Sequence, residues 1–269
     1  MKHNTLLILA AGASSRMKNS LKDTSDFKGK ALMPLGEGKQ PVLSYLLQNA
    51  KSVGYQKIIL VVGKEVEAFK SFIQQLKGFE EIEFVFATQH IPNDREKPLG
   101  TADAVYQTME QYPELKKRVF TVCNSDNVYS AKAFALLQNS TAKNAFISYD
   151  RAGLDFPSER IRSFALVIQN EAGFLKTIIE KPPAEAMEDY KDATGVLRVS
   201  MNIWKLNGAD AFPYFRDCPL HPVRNEKELP LAVLHMVAAG IEIKGIPLKE
   251  HVPDLTRKED IEKLEKYLT

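Results

Sequence analysis

LLILAAGASSRMKNSLKDTSDFKGK, residues 6–30, opens with the apolar run Leu6-Leu7-Ile8-Leu9 and then breaks abruptly into Ala10-Ala11-Gly12-Ala13-Ser14-Ser15-Arg16. The run has the length of a buried strand rather than of a helix. The small residues after it let the backbone turn tightly and bring its N–H groups close to a ligand, as phosphate-cradling loops do. Arg16 adds a planar, permanently charged fork suited to phosphate oxygens. Lys30, at the head of Lys30-Ala31-Leu32-Met33-Pro34-Leu35, offers a second cation. Neither GxGxxG nor GxxxxGK followed by Ser or Thr is present, which argues against a dinucleotide-binding or P-loop site. The plainer alternative is an ordinary strand–turn with surface cations.

Downstream, strand and helix signals alternate. Residues 41–53 predict a helix, with Pro41 at the start, Val42, Leu43, Leu46, Leu47 and Ala50 on an apolar face, and Gly54 past the end. Residues 57–62 predict a strand, 65–76 a helix and 82–87 a third strand. This alternation argues a parallel sheet with helices on both faces. The ligand site of such a sheet lies beyond the carboxyl ends of its strands, where the first loop sits. Gly100-Thr101 marks a helix N-terminus. Residues 119–122 predict a strand that leads into Cys123-Asn124-Ser125-Asp126-Asn127. An Asp at that place suits a divalent cation, although the same residues also suit an Asx turn.

Extended stretches follow at 145–149, 163–168 and 175–179, ahead of Glu180-Lys181-Pro182-Pro183. Residues 197–205, LRVSMNIWK, read as one more β-like stretch, with Trp204 most simply a core residue. Residues 228–239 predict a helix in which Glu228 faces a ligand or serves the N-terminus. A late strand covers 241–247. Thr256 and Glu259 then suit a capping box, and the charged helix through Tyr267 reads as a solvated face.

With 269 residues the chain can bury a large core. A net charge of +2 excludes a strong general pull toward nucleic acid or anionic membrane. No apolar run reaches about 18 residues and the N-terminus lacks a basic leader region, so a cytoplasmic location is expected. Cys123 and Cys218 give no disulfide framework or CxxC spacing, and the five scattered histidines show no zinc pairing.

The opening segment resembles LAAGxGxRM…PKxLxPL of the sugar-phosphate nucleotidyltransferases, with Gly29 where that pattern carries Pro. The resemblance recurs in order along the chain, at Gln89 with Leu99-Gly100-Thr101-Ala102, at Asp126, at Glu180-Lys181-Pro182, at Ser200-Met201-Asn202-Ile203-Trp204 and at Asp254-Leu255-Thr256. It implies a three-layer α/β/α, Rossmann-like (GT-A-like) fold with a mostly parallel, mixed central sheet, formed as a single domain over residues 1–269. The nucleotide-binding part would occupy roughly 1–140 and the sugar-binding part roughly 141–255. No hexapeptide repeats appear, so the left-handed β-helix domain of bifunctional members is not expected.

By the same resemblance, Arg16, Lys30, Asp126 and Lys181 carry the catalysis. Leu9, Ala10, Ala11, Gly12, Ala13, Ser14, Ser15, Gln89, Gly100 and Thr101 bind nucleotide. Asn127, Glu180, Lys181 and Asn202 bind the sugar phosphate, and Asp126 with Asp254 hold Mg²⁺. The implied reaction joins a nucleoside triphosphate to a sugar-1-phosphate, giving an NDP-sugar and pyrophosphate. Its implied partners are those two substrates, without nucleic acid or membrane, and a homo-oligomer is left open. Alternatives are a cytidylyltransferase-type enzyme with a non-sugar phosphate acceptor and a catalytically silent nucleotide-sugar-binding regulatory protein.

Overall fold

All five residues of Thr5–Leu9 are buried, and successive side chains enter opposite cores. Leu6 and Ile8 pack on one side of the strand, while Leu7 and Leu9 pack on the other. Burial on both faces is what a central parallel strand requires, and it explains the unbroken apolar run. The computed structural model describes residues 3–12, 17, 29–35, 40–256 and 258–268. In chain order the strands are β1 (Thr5–Leu9), β2 (Pro34–Leu35), β3 (Gln40–Pro41), β4 (Lys57–Val62), β5 (Glu83–Thr88), β6 (Val119–Asn124), β7 (Ala145–Asp150), β8 (Leu166–Gln169), β9 (Leu175–Ile179), β10 (Arg198–Val199), β11 (Trp204–Asn207) and β12 (Lys244–Leu248). The α-helices are α1 (Val42–Ser52), α2 (Val66–Gln75), α3 (Thr101–Gln111), α4 (Ala131–Asn139), α5 (Ser158–Arg162), α6 (Gly208–Arg216), α7 (Leu229–Ala238) and α8 (Asp260–Leu268).

Among the described residues, eight strands form one sheet. β5, β4, β1 and β6 run parallel side by side. β11 pairs antiparallel with β6 and with β7, and β12 pairs parallel with β7 along the opposite edge. The sheet is thus mixed and mostly parallel: β5, β4, β1 and β6 follow the parallel pattern that the alternation of elements implies, and the antiparallel β11 gives the mixed sheet that the family resemblance implies. Apolar residues of α1, α2 and α4 cover one face, and those of α3, α6 and α7 cover the other, making three layers. No helix of the described residues is long and apolar enough to cross a membrane.

Two sequence expectations are corrected. The stretch 163–168 becomes strand only at Leu166, because Ser163 is still the C-cap of α5. The stretch 197–205 is not one continuous strand. Against β7, Val199 faces Tyr149 and Trp204 faces Phe146, so residues 200–203 stand opposite only Ile147 and Ser148. Met201 (φ 46°) and Asn202 (φ 57°) take the left-handed conformation within this bulge. Strand propensity of the surrounding Val, Ile and Trp gives way to tertiary geometry there.

At Gly208, which opens α6, a Cβ atom would lie 1.7 Å from the Leu115 carbonyl oxygen. Gly→Ala in a helix ordinarily stabilises by about 1 kcal/mol. Here Gly208→Ala is expected to destabilise by about 1–3 kcal/mol in urea unfolding, because the backbone must shift to admit the methyl group.

Candidate active site

The sheet's hydrogen bonding continues past the strand ends and fixes the loops that leave them. Ala10 N–H donates to the Val61 carbonyl at 2.7 Å, Ser125 N–H to Leu9 at 3.1 Å, and Gln89 N–H to Val62 at 2.9 Å. The segment after β12 runs back over the loop that follows β6. Val128 N–H donates to Pro253 and Leu255 N–H to Asp126, both at 2.9 Å, and Asn127 bridges Asp254. Two acidic residues remote in sequence are thereby set beside each other by backbone pairing. An apolar cluster of Met17, Leu35, Val42, Val128, Leu255 and Leu264 underpins this crossing.

Each carboxylate has its own cation. Lys30 forms an ion pair with Asp126. Arg160, on α5, pairs with Asp254 and reaches Asp260 at 2.8 Å. The Thr256 hydroxyl donates to Asp254 at 2.8 Å. Thr256 N–H donates to the Asp260 carboxylate at 2.8 Å, so Asp260 takes the place that Glu259 was expected to fill. Burial, and then the charge of Asp126, push the Asp254 carboxyl up to about 6, against the opposing pull of Arg160, Thr256 and Lys30.

Two clefts flank this acidic pair and share Asn124. The first, about 340 Å³, is lined by Leu9, Ala10, Gly12, Lys30, Gln89, Gly100, Thr101 and Asp126, together with Lys97 and Glu226. Gly100 is required where it sits. Its φ is +121°, and a Cβ would lie 2.3 Å from the Lys227 carbonyl oxygen. That contact belongs to a short backbone zipper in which Lys227 N–H donates to Leu99 at 2.6 Å and Ala102 N–H to Lys227 at 2.9 Å. The second cleft, about 290 Å³, is lined by Asn127, Glu180, Lys181, Asn202, Arg224 and Asp254, with Ser163 and Met201.

Backbone strain gathers around this second cleft. The non-glycine residues with positive φ among those described are Lys181, Met201, Asn202 and Asn225. The first three line the cleft, and Asn225 adjoins Arg224. Such conformations cost about 1–3 kcal/mol each and persist where the surrounding structure enforces them, often at binding sites.

Glu180, His221 and Glu228 also converge, but their chemistry is that of an ion-pair network. His221 Nδ1 accepts from the N–H groups of Val223 and Arg224, both at 3.2 Å. That leaves the ring hydrogen on Nε2, with no lone pair toward the two carboxylates. Arg224 bridges them instead, pairing with Glu180 at 2.8 Å and with Glu228.

The structure therefore gathers Leu9, Ala10, Gly12, Lys30, Gln89, Gly100, Thr101 and Asp126 in one cleft, and Asn127, Glu180, Lys181, Asn202 and Asp254 in the next. Ala11 lies against Gly63 rather than in the cleft lining. The Thr101 hydroxyl accepts from Leu229 N–H at 2.9 Å, so it caps α7. Ala13, Ser14, Ser15 and Arg16 lie outside the described residues. Sequence reasoning missed Arg160 and Arg224, which pair with the distant Asp254 and Glu180, and His221, which bonds within its own turn; none of the three lies in a periodic stretch.

A strand-end site on a mostly parallel sheet between two helical layers, with paired carboxylates between two clefts, places the chain among the α/β proteins whose clefts lie beyond the carboxyl ends of their strands. The family model for nucleotidyl transferases matches residues 5–198, and the chain belongs to that family. It is similar to the glucose-1-phosphate adenylyltransferase of Nitrosospira multiformis, with 26% identity over 210 residues, covering 77% of this chain and 47% of the relative. The enzyme of the same name from Nitrosomonas europaea is 26% identical over 213 residues, again covering 77% and 47%. The chain thus spans about half the length of the curated relatives it matches. Among solved structures, a UDP-glucose pyrophosphorylase complexed with UDP-glucose shares the fold with a TM-score of 0.74 over 98% of each chain, at 16% identity.

The bulge can be tested without a ligand. Asn202→Val places a β-branched residue at positive φ and is expected to lower stability by about 1–2 kcal/mol. Asn202→Gly should stay within about 0.5 kcal/mol of the parent, since glycine accepts that conformation freely. Chemical denaturation of both variants checks the pair.

Proposed function

We propose that the chain transfers a nucleotidyl group from a nucleoside triphosphate to a sugar-1-phosphate with Mg²⁺ bound. The carrying observation is the meeting of two clefts at Asn124, one holding Lys30 and Asp126 and the other Lys181, Asn202 and Asp254. Membership of the nucleotidyl transferase family supports the triphosphate as the donor, and the names of the adenylyltransferase relatives support a sugar-1-phosphate as the acceptor.

In this reading the triphosphate lies in the first cleft and the sugar phosphate in the second. A phosphate oxygen of the acceptor attacks the α-phosphorus. The bond from the α-phosphorus to the oxygen bridging to the β-phosphate breaks, and pyrophosphate leaves with the electron pair. Both reactants are anionic, so the protein's task is positioning and charge neutralisation rather than nucleophilic attack. Lys30 would neutralise charge near the α-phosphate, and Lys181, which forms no ion pair with a described residue, would hold the acceptor phosphate. The first-loop backbone, with Arg16 on the strength of the sequence pattern, would bind the β- and γ-phosphates.

Asp126 and Asp254 fit a hard divalent cation, because both offer carboxylate oxygens and the backbone pairing after β6 sets them beside each other. These two residues would hold Mg²⁺, which when bound supplies further neutralisation of the phosphates. A cytoplasmic location belongs to the same proposal and is supported by Cys123 and Cys218, both buried free thiols.

Pyrophosphate release from four nucleoside triphosphates crossed with a panel of sugar-1-phosphates is expected for one preferred pair, and only with Mg²⁺. Asp126→Asn and Lys30→Ala should each lower kcat by about 100-fold or more while circular dichroism stays unchanged. Near-normal rates would remove the role given to that residue. Mg²⁺ at about 100 times its Kd should stabilise the parent by about 2.7 kcal/mol. Asp254→Asn should abolish that shift in a thermal melt.

A further inference from the structure

α5 buries none of its residues, so core packing does not account for the helical turn at this place. What the turn does is deliver Arg160 to the acidic pair. One terminal nitrogen of the guanidinium pairs with Asp254 and donates to the Thr256 hydroxyl at 3.2 Å, and the other donates to Asp260 Oδ1 at 2.8 Å. The group rests over the Phe156 ring, 4.5 Å from its centroid. Thr256 bonds both acids in turn, Asp254 through its hydroxyl and Asp260 through its N–H. Arg160 lines neither cleft, so it is not aimed at a substrate; its partners are the two carboxylates.

Arg160 and Thr256 both bond Asp254 at Oδ2, and Lys30 bonds Asp126 at Oδ2. Neither Oδ1 accepts from a described residue. The pair therefore keeps oxygens for a cation, yet its charge is already balanced, two carboxylates against Lys30 and Arg160. Any divalent ion held by Asp254 shares that carboxylate with a guanidinium. Two effects then oppose each other. A carboxylate already fixed in place binds an ion with less ordering cost, and a neighbouring positive charge repels a doubly charged ion. The side chains of Arg160 and Asp254 are only 23% and 16% exposed, so little water screens the repulsion. Ordering concerns one short side chain, and the repulsion is the larger of the two.

We propose that Arg160 is a built-in counter-cation that lowers the affinity of Asp126 and Asp254 for a divalent ion in the substrate-free protein. It keeps the two acids together when no ion is bound, and for the same reason it leaves the ion weakly held there. The inference rests on the metal reading of these two residues. It predicts that removing the positive charge of Arg160 improves metal binding, although the variant loses hydrogen bonds to the site.

The experiment is calorimetric titration of the substrate-free protein with Mg²⁺ alone, at mildly alkaline pH. Arg160→Gln should tighten the Kd by about tenfold or more. In thermal melts the same variant should be less stable than the parent without Mg²⁺ and should gain more from adding it. An unchanged or weaker Kd would overturn the proposal, since an arginine that merely orders the site would give that result. Arg160→Lys keeps the charge, and its Kd should stay within about threefold of the parent. A gain in Arg160→Lys equal to that in Arg160→Gln would overturn the charge argument. Because α5 buries no residue, neither variant should disturb the core. Mg²⁺ binding by the parent that Arg160→Gln does not improve would strike this inference alone. Absence of Mg²⁺ binding in the parent and in Arg160→Gln alike would overturn the metal reading and this inference with it.

Discussion

Two carboxylates held side by side in a mostly enclosed place are the constraint around which this molecule is arranged. Asp126 ends the turn after β6, and Asp254 arrives from the segment after β12. Like charges at close range in low dielectric repel strongly unless cations attend them. Lys30 and Arg160 attend one each, and Thr256 adds a hydrogen bond. The backbone crossing and the apolar cluster beneath it supply the packing that keeps the two acids from separating. Met17, the acidic pair and the helix α8 therefore meet around one cluster, although they are spread over the whole sequence.

Much of the fold was legible because parallel strands buried on both faces must be continuously apolar. Lys57–Val62 matches its sequence expectation residue for residue, and the helices at Val42–Ser52 and Thr101–Gln111 begin where their start signals lie. The family resemblance pairs Asp126 with Asp254 as metal carboxylates; what the structure adds is their proximity, through the backbone bridge at Asn127. Arg160 was not legible. It lies on a five-residue helix with no buried residues, so neither periodicity nor burial marks it. Asp103, Gln107 and Gln111 did carry a signal in their spacing of four. Polar residues at that spacing ordinarily mean a solvated face, whereas here Gln111 and Gln107 bond the backbone of Thr88 and His90 at the end of the edge strand β5.

The segment between α6 and α7 shows how closely the two clefts are joined. Arg224 reaches into the second cleft and Glu226 into the first, while Lys227 is zipped to the backbone at the start of α3. His221 organises this turn through its ring nitrogen and through backbone bonds to Asn225 and Glu226. A shift of this segment would be felt on both sides of Asn124. The positive-φ residues Lys181, Met201 and Asn202 have the same local character, since all three line the second cleft.

The bulge at residues 200–203 also has a consequence for how such a chain can change over evolution. It adds two residues relative to β7, an even number. Side chains along a strand alternate with a period of two, so an even addition leaves the inward and outward sides of everything beyond it in phase. Val199 and Tyr149 accordingly share one core, while Trp204 and Phe146 share the other. An odd addition would have turned Trp204 and Leu206 out of their core. Parity of this kind lets one wall of a cleft be lengthened or reshaped by lineages with different ligands, while the hydrophobic sheet that supports it keeps the same faces.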